Sequence, residues 1–143
     1  MANYYANART NYFRVTDEEK YNELFKKLVG DNCEEVYDFT KEENGVKLHG
    51  FGCYGTIDFL VSSPDAEDPE YDWDVFTKKL QEILPEDEAF IYMENGHEKL
   101  CTVSGFSVIV TKDKVECVDI CSTALEKARE MLNNKDYYTQ TDC

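Results

Sequence analysis

GFGCYGTIDFLVSSPDAEDPEYDWDVF, residues 50–76, is the stretch around which the rest of the chain is organised. It opens on Gly50, Gly52 and Gly55 and runs into an apolar strand over residues 57–61. It then crosses a loop with six acids in residues 65–74 and enters a helix at about Trp73. Read this way, it is the central connection of the fold. It is also where the negative charge is most concentrated.

Upstream, residues 11–15 (NYFRV) alternate as a first strand. Residues 16–19 (TDEE) read as a capping box opening a helix with Tyr21, Leu24, Phe25 and Leu28 on one face. Gly30 suits the left-handed position past its end. Residues 36–40 and 46–51 read as strands joined through KEENG, whose Asn44-Gly45 pair signals a tight turn. Downstream, Trp73, Phe76, Leu80, Ile83 and Leu84 recur at helical spacing over residues 72–84, and Pro85 stops that helix. Strands follow over residues 89–94, 100–103, 106–111 and 115–120, with turns at Asn95-Gly96 and Lys112-Asp113. A second capping box at residues 123–126 opens a last helix on Leu125, Ala128, Met131 and Leu132. An antiparallel sheet with two helices on one face satisfies this order. The expected class is α+β, ferredoxin-like, with an added C-terminal hairpin and helix, in one domain over residues 1–143.

The 143 residues are 42% hydrophobic and 13% aromatic, enough for one sizeable core. No apolar run approaches the ~18 residues of a membrane span, and the opening MANYYANARTNYF lacks a signal-peptide pattern. A cytoplasmic protein with free rather than disulfide-bonded cysteines is expected. Cys101 and Cys117, in strand-like stretches, are expected to behave as small hydrophobes.

The formal net charge is −15. Residues 31–74 hold thirteen acids against two bases, so most of the excess lies in under a third of the chain. Such a polyanion is repelled by free nucleic acid and by anionic membranes, so neither is expected as a direct partner. A basic groove on another protein would attract it.

Several chemical signatures fail on context. Residues 50–55 match G-x-G-x-x-G, but a strand and an acidic loop follow where a dinucleotide site needs a helix. Close packing over glycine is the plainer explanation. No C-x-x-C or zinc-ligand spacing is present, and no metal or cofactor is expected. Asp58 alternates with Ile57 and Phe59, which places it on the solvated face. No catalytic residue is assigned.

Asp68, Glu70, Asp72 and Asp74 alternate with other residues. In extended chain, alternate side chains recur about every 6.6–6.8 Å, a pitch comparable to a nucleic-acid backbone. The candidate partner-binding set is Asp65, Glu67, Asp68, Glu70, Tyr71, Asp72, Trp73 and Asp74. Glu34, Glu35, Glu42, Glu43, Glu86, Asp87 and Glu88 could widen it. The competing explanation is solubility, with Asp72 and Asp74 simply favourable at a helix N-terminus. Tyr4, Tyr5, Arg9, Tyr12, Phe13 and Arg14 form an aromatic and basic cluster, read as an edge strand with its lead-in or as a small contact site.

The opening MANYYANARTNYFRVTDEEKYNEL resembles the start of small proteins carried by phages and other mobile elements of gut Firmicutes. Later, an apolar strand, Ser62-Ser63-Pro64, a helix ending in Leu84-Pro85 and the Tyr92–Gly96 pattern are similar to a plasmid-borne ferredoxin-like family. The resemblance implies an accessory gene product that blocks host defence, as anti-restriction and anti-CRISPR proteins do. Together with the charge, the expectation is a non-enzymatic inhibitor in the host cytoplasm. It would present an acidic, nucleic-acid-mimicking surface to the basic groove of a nuclease or CRISPR effector. The alternatives are a homodimeric or larger scaffold module of the mobile element, or a small hydrolase using cysteine or a carboxylate pair.

Overall fold

The structure, a computed structural model, describes residues 5–98 and 102–139. In chain order its elements are β1 (Tyr5–Thr10), α1 (Glu18–Lys26), β2 (Leu28–Gly30), a 3-10 turn (Asp31–Cys33), β3 (Tyr37–Asp38), β4 (Lys41–Glu43), β5 (Val46–Leu48), β6 (Phe51–Cys53), β7 (Ile57–Phe59), α2 (Trp73–Ile83), β8 (Phe90–Glu98), β9 (Thr102–Val110), β10 (Val115–Asp119) and α3 (Ile120–Leu132). Six strands form one sheet in the order β10-β9-β8-β1-β6-β3, and every neighbouring pair is antiparallel. Two small antiparallel pairs, β2–β7 and β4–β5, stand outside it. The fold is therefore α+β, with a large antiparallel sheet and three helices. No helix among the described residues is long and apolar enough to cross a membrane.

Alternation along the strands gives the sheet two unlike faces. Ala8, Thr10, Phe51, Cys53, Phe90, Tyr92, Val108 and Val110 are buried on the inner face. Tyr21 and Leu24 of α1 and Phe76, Leu80 and Ile83 of α2 are buried over it. The centre is a set of interlocked rings. Phe90 lies 5.1 Å from Phe13, 5.8 Å from Phe76 and 5.9 Å from Phe51, and Phe76 lies 5.4 Å from Phe59. Burying each such side chain contributes about 1.5–3 kcal/mol.

The outer face carries Tyr5, Asn7 and Arg9 of β1 and Met93 and Asn95 of β8, all exposed. Of the helices described, α3 is the one that leans on it. A Cβ at Gly105 would stand 3.3 Å from Ile120 at the start of that helix. No residue of α3 is buried, although Ile120, Met131 and Leu132 are apolar.

Several boundaries differ from expectation, each for a local reason. The first strand is Tyr5–Thr10, and it is central rather than an edge. The α1 cap is Asp17, whose carboxylate accepts the Lys20 amide at 3.1 Å. Thr16 instead donates its amide and hydroxyl to the Ile83 carbonyl, at 2.7 and 3.2 Å. Gly30 is extended, not left-handed. It is needed because a Cβ there would meet the Glu34 carbonyl oxygen at 2.3 Å. Asn44 and Gly45 do turn the β4–β5 hairpin, at φ 54° and 78°. Asn95-Gly96 does not turn: β8 runs straight through, with Asn7 and Gly105 opposite Asn95. Residues 102–110 are likewise one strand. α3 starts at Ile120, capped by Asp119, whose carboxylate accepts the Ser122 amide at 2.9 Å. Cys117 is exposed on the edge strand β10, not a core hydrophobe. Cys53, Cys117 and Cys121 are free thiols, and Cys101 lies outside the described residues.

Glu94 gives the fold a pH signature. Its half-buried carboxylate accepts the Tyr92 hydroxyl at 2.7 Å. Burial raises its pKa, and the Tyr92 bond opposes this only in part. The folded state therefore keeps a proton that the unfolded chain has already lost. Stability is expected to fall as pH rises from the ordinary glutamate range, about 4.3, through the raised folded value. Glu94→Gln keeps an acceptor for Tyr92 and removes the charge. Thermal melts across pH should show it more stable than the parent at neutral pH, with the difference closing at low pH. A variant less stable at neutral pH contradicts this.

Candidate functional site

The acidic loop is tied shut at its neck. Leu60 and Tyr71 form an isolated bridge, the Val61 amide donates to the Glu70 carbonyl, and the Asp72 amide donates to the Phe59 carbonyl, both at 2.9 Å. Pro64 and Pro69 have no amide hydrogen to give, so serines do part of the work. The Ser62 hydroxyl accepts the Glu70 amide at 2.9 Å, and the Ser63 carbonyl accepts the Ala66 amide at 3.1 Å. Asp72 then caps α2, accepting the Asp74 amide at 3.0 Å. Carboxylates at this end of α2 meet the positive end of its dipole.

Asp65, Glu67, Asp68, Glu70, Asp72 and Asp74 are all exposed. None of them joins an ion pair among the described residues. The extended row is realised only where Glu70 and Asp72 flank Tyr71 at the bridge. The loop turns at residues 62–68, and Asp74 is already helical. Tyr71 is exposed. Trp73 is half-buried, with its ring 4.8 Å from Phe76 and 4.9 Å from Tyr92, so it packs against the core rather than projecting as an anchor.

The remaining acids fall into two groups. Glu34 and Glu35 are exposed just after the 3-10 turn, whose Asp31 amide donates to the Thr56 carbonyl at 2.9 Å. They therefore flank β7 at one end, and the acidic loop leaves it at the other. Burial, with Glu34 and Asp31 adding to it, pushes the Cys53 thiol pKa up.

Glu42 and Glu43 sit on the β4–β5 hairpin, beyond the opposite end of the sheet. Glu43 is paired with Lys41 at 3.4 Å. Glu86, Asp87 and Glu88 follow the C-terminus of α2, an 11-residue helix about 16 Å long, and so lie far from its acidic N-terminus. Arg14 holds two of them, Asp87 at 3.0 Å and Glu88 at 2.9 Å. These bonds push the Arg14 pKa further up. The fifteen candidates are thus not one patch. Residues 65–74 leave β7 at one end, Glu34 and Glu35 flank its other end, and the 42–43 and 86–88 acids lie apart from both, partly neutralised.

His49 is 2% exposed. Its Nε2 is 2.6 Å from the Glu18 carboxylate and its Nδ1 is 3.2 Å from the Thr40 hydroxyl, which in turn bonds Asp38. Tyr21 lies over it, with ring centroids 4.0 Å apart. This polar chain pins α1 to the start of β6 and brings no thiol to His49, so it does not supply the Cys–His pair that hydrolysis would need. His97 is exposed beside Tyr5. No group of three or more histidine, cysteine or acidic side chains is placed to hold a metal among the described residues. The glycines of residues 50–52 accommodate rings: a Cβ at Gly50 would meet the Tyr12 ring at 3.3 Å, and one at Gly52 the Phe39 ring at 2.8 Å.

No family model, curated protein or solved structure matches the chain.

Two polar features escaped sequence reasoning. One is the Asp38–Thr40–His49–Glu18 chain, and the other is Phe39 against Arg9, a residue the sequence groups only with Tyr12 and its other N-terminal neighbours. Both join side chains from separate segments, and the only sequence signal for the first is a histidine set between Leu48 and Phe51. Replacing His49 with Leu leaves Glu18 and Thr40 without their buried partner. The expected cost is about 1–3 kcal/mol. Urea unfolding of His49→Leu checks it, and an unchanged midpoint would contradict the role.

Proposed function

We propose that this chain is a non-enzymatic interaction protein, an inhibitor of the anti-restriction or anti-CRISPR kind, acting in the host cytoplasm. The carboxylates of residues 65–74 dock on a basic, nucleic-acid-binding groove of a nuclease or CRISPR effector. One observation carries this reading: six exposed carboxylates on a loop tied at its neck, none ion-paired within the described chain. A flexible solubilising loop needs no such neck. Charge supplies steering and salt dependence, and Tyr71 supplies an exposed aromatic contact. The resemblance to mobile-element proteins points the same way. The strand order β8-β1-β6-β3, with α1 and α2 on one face, supports a ferredoxin-like unit to which β9, β10 and α3 are added.

Asp68→Asn, Glu70→Gln, Asp72→Asn and Asp74→Asn together test the idea. Asparagine still caps a helix, so α2 is preserved. Against basic-groove nucleases, the parent is expected to compete with DNA and to weaken steeply as salt rises. The quadruple variant should lose at least about ten-fold in affinity and flatten the salt slope. Unchanged affinity, or binding that leaves DNA in place, contradicts the reading.

A second reading, self-association as a scaffold module, is favoured by α3, a 13-residue helix with no buried residue. A helix this short is marginal without packing. Light scattering decides: a dimer insensitive to salt supports self-association, and a monomer at high concentration contradicts it.

A further inference from the structure

The outer face of the sheet holds a cavity of about 460 Å³ that the acidic end does not involve. Asn7 and Arg9 of β1, Tyr37 and Phe39 of the edge segment, Gly52 of β6 and Tyr54 line it. Its size is that of a small-molecule site. The helices α1 and α2 pack on the opposite face of the sheet, so neither covers it.

Its chemistry runs against the rest of the molecule. Acids outnumber bases two to one in this chain, 30 to 15. Yet among the described residues the only charged group lining this cavity is the guanidinium of Arg9. No carboxylate pairs with Arg9 among the described residues. Arg9 is held by rings instead. Its guanidinium carbon stands 4.7 Å from the Phe39 ring centre and 5.6 Å from that of Tyr12, and Nη2 donates to the Tyr12 hydroxyl at 3.2 Å. Stacking occupies the faces of a guanidinium and leaves edge donors to meet an anion. Phe39 is fixed in turn by Gly52, where any Cβ would strike its ring.

The other wall is aromatic and open. Tyr54 is 72% exposed, and its ring lies 6.0 Å from that of Tyr37, edge to face. Solvent-facing rings offer stacking surface for a planar group. Asn7 adds an amide with both donors and an acceptor, suited to the edge of a heterocycle.

We propose that this cavity binds a nucleotide, with the base against Tyr54 and Tyr37 and the phosphate on Arg9. The same chemistry could arrive as a free mononucleotide or as one unit of a single strand. The surroundings favour the free molecule. Asp31 and Glu34 line the next depression, beyond Tyr54, and would repel the phosphates of a strand continuing that way. The proposal is independent of the docking role of residues 65–74.

The test is titration of the full chain with AMP, adenosine, inorganic phosphate and a short oligothymidylate, followed by calorimetry or tyrosine fluorescence. Saturable AMP binding is expected, with adenosine and phosphate each at least about ten-fold weaker and the oligonucleotide no tighter than AMP. Tyr54→Ala, at an exposed position, should weaken AMP and adenosine alike by about ten-fold. Arg9→Gln should weaken AMP to the level of adenosine and leave adenosine unchanged. No saturable AMP binding at millimolar concentration, or full affinity in either variant, overturns the proposal. An oligonucleotide that binds ten-fold tighter than AMP and displaces it overturns the assignment to a free nucleotide.

Discussion

The structure depends on one packing constraint: two helices must cover one face of a six-stranded sheet through a set of interlocking phenylalanines. Phe90 touches rings from the segment before α1, from β6 and from α2. Aromatic pairs at such distances contribute beyond the area they bury. Closing that face leaves charge to the solvent side of the helices, the ends of the molecule and the outer face. The chain uses the last two differently. Carboxylates collect at the ends, while the outer face around β1 and β6 keeps rings, an amide and the unpaired Arg9.

The two ends are also unlike each other. At the C-terminal end of α2, Arg14 reaches from the segment before α1 and grips Asp87 and Glu88. That contact closes the turn into β8, so those acids serve the fold. At the N-terminal end, the backbone at the neck of the loop is satisfied by β7, and Asp72 serves the helix. The side chains of Asp65, Glu67, Asp68 and Glu70 stay in water. Lysines on the helix layer, such as Lys27 and Lys79, do not reach them: no ion pair among the described residues involves either lysine. Like charges crowded in this way repel, and an opposite surface would relieve the repulsion.

Local signals in the sequence were reliable where one short segment decides the outcome. Asn44-Gly45 turns a hairpin because both residues accept positive φ, and nothing packs against the turn to overrule it. α1 and α2 follow their apolar spacing because each has a buried stripe. The same Asn-Gly pair at residues 95–96 stays extended because β1 and β9 both hold it in register. Two ladders outweigh a turn preference. Cys117 read as core because it sits between valines in a strand, but β10 is the sheet edge, and only the strand order says so. The acidic block was visible as charge density. Its division into separate groups was not, because residues 34–35 and 42–43 are near in sequence yet exit the sheet in opposite directions. The Arg9 cavity draws on β1, the segment after β3, and the turn after β6, and no spacing in the chain announces it.

The central claim is that the carboxylates of residues 65–74 are unpaired and mutually repulsive in the folded protein. The dependence of melting temperature on sodium chloride tests it most directly, because added salt shortens the Debye length from about 30 Å at 0.01 M to under 10 Å at physiological strength. The melting temperature is expected to rise over that range, and to rise much less when Asp68, Glu70, Asp72 and Asp74 are replaced by their amides. A melting temperature that stays flat or falls with salt in the parent would mean those charges are already neutralised, and would contradict the claim.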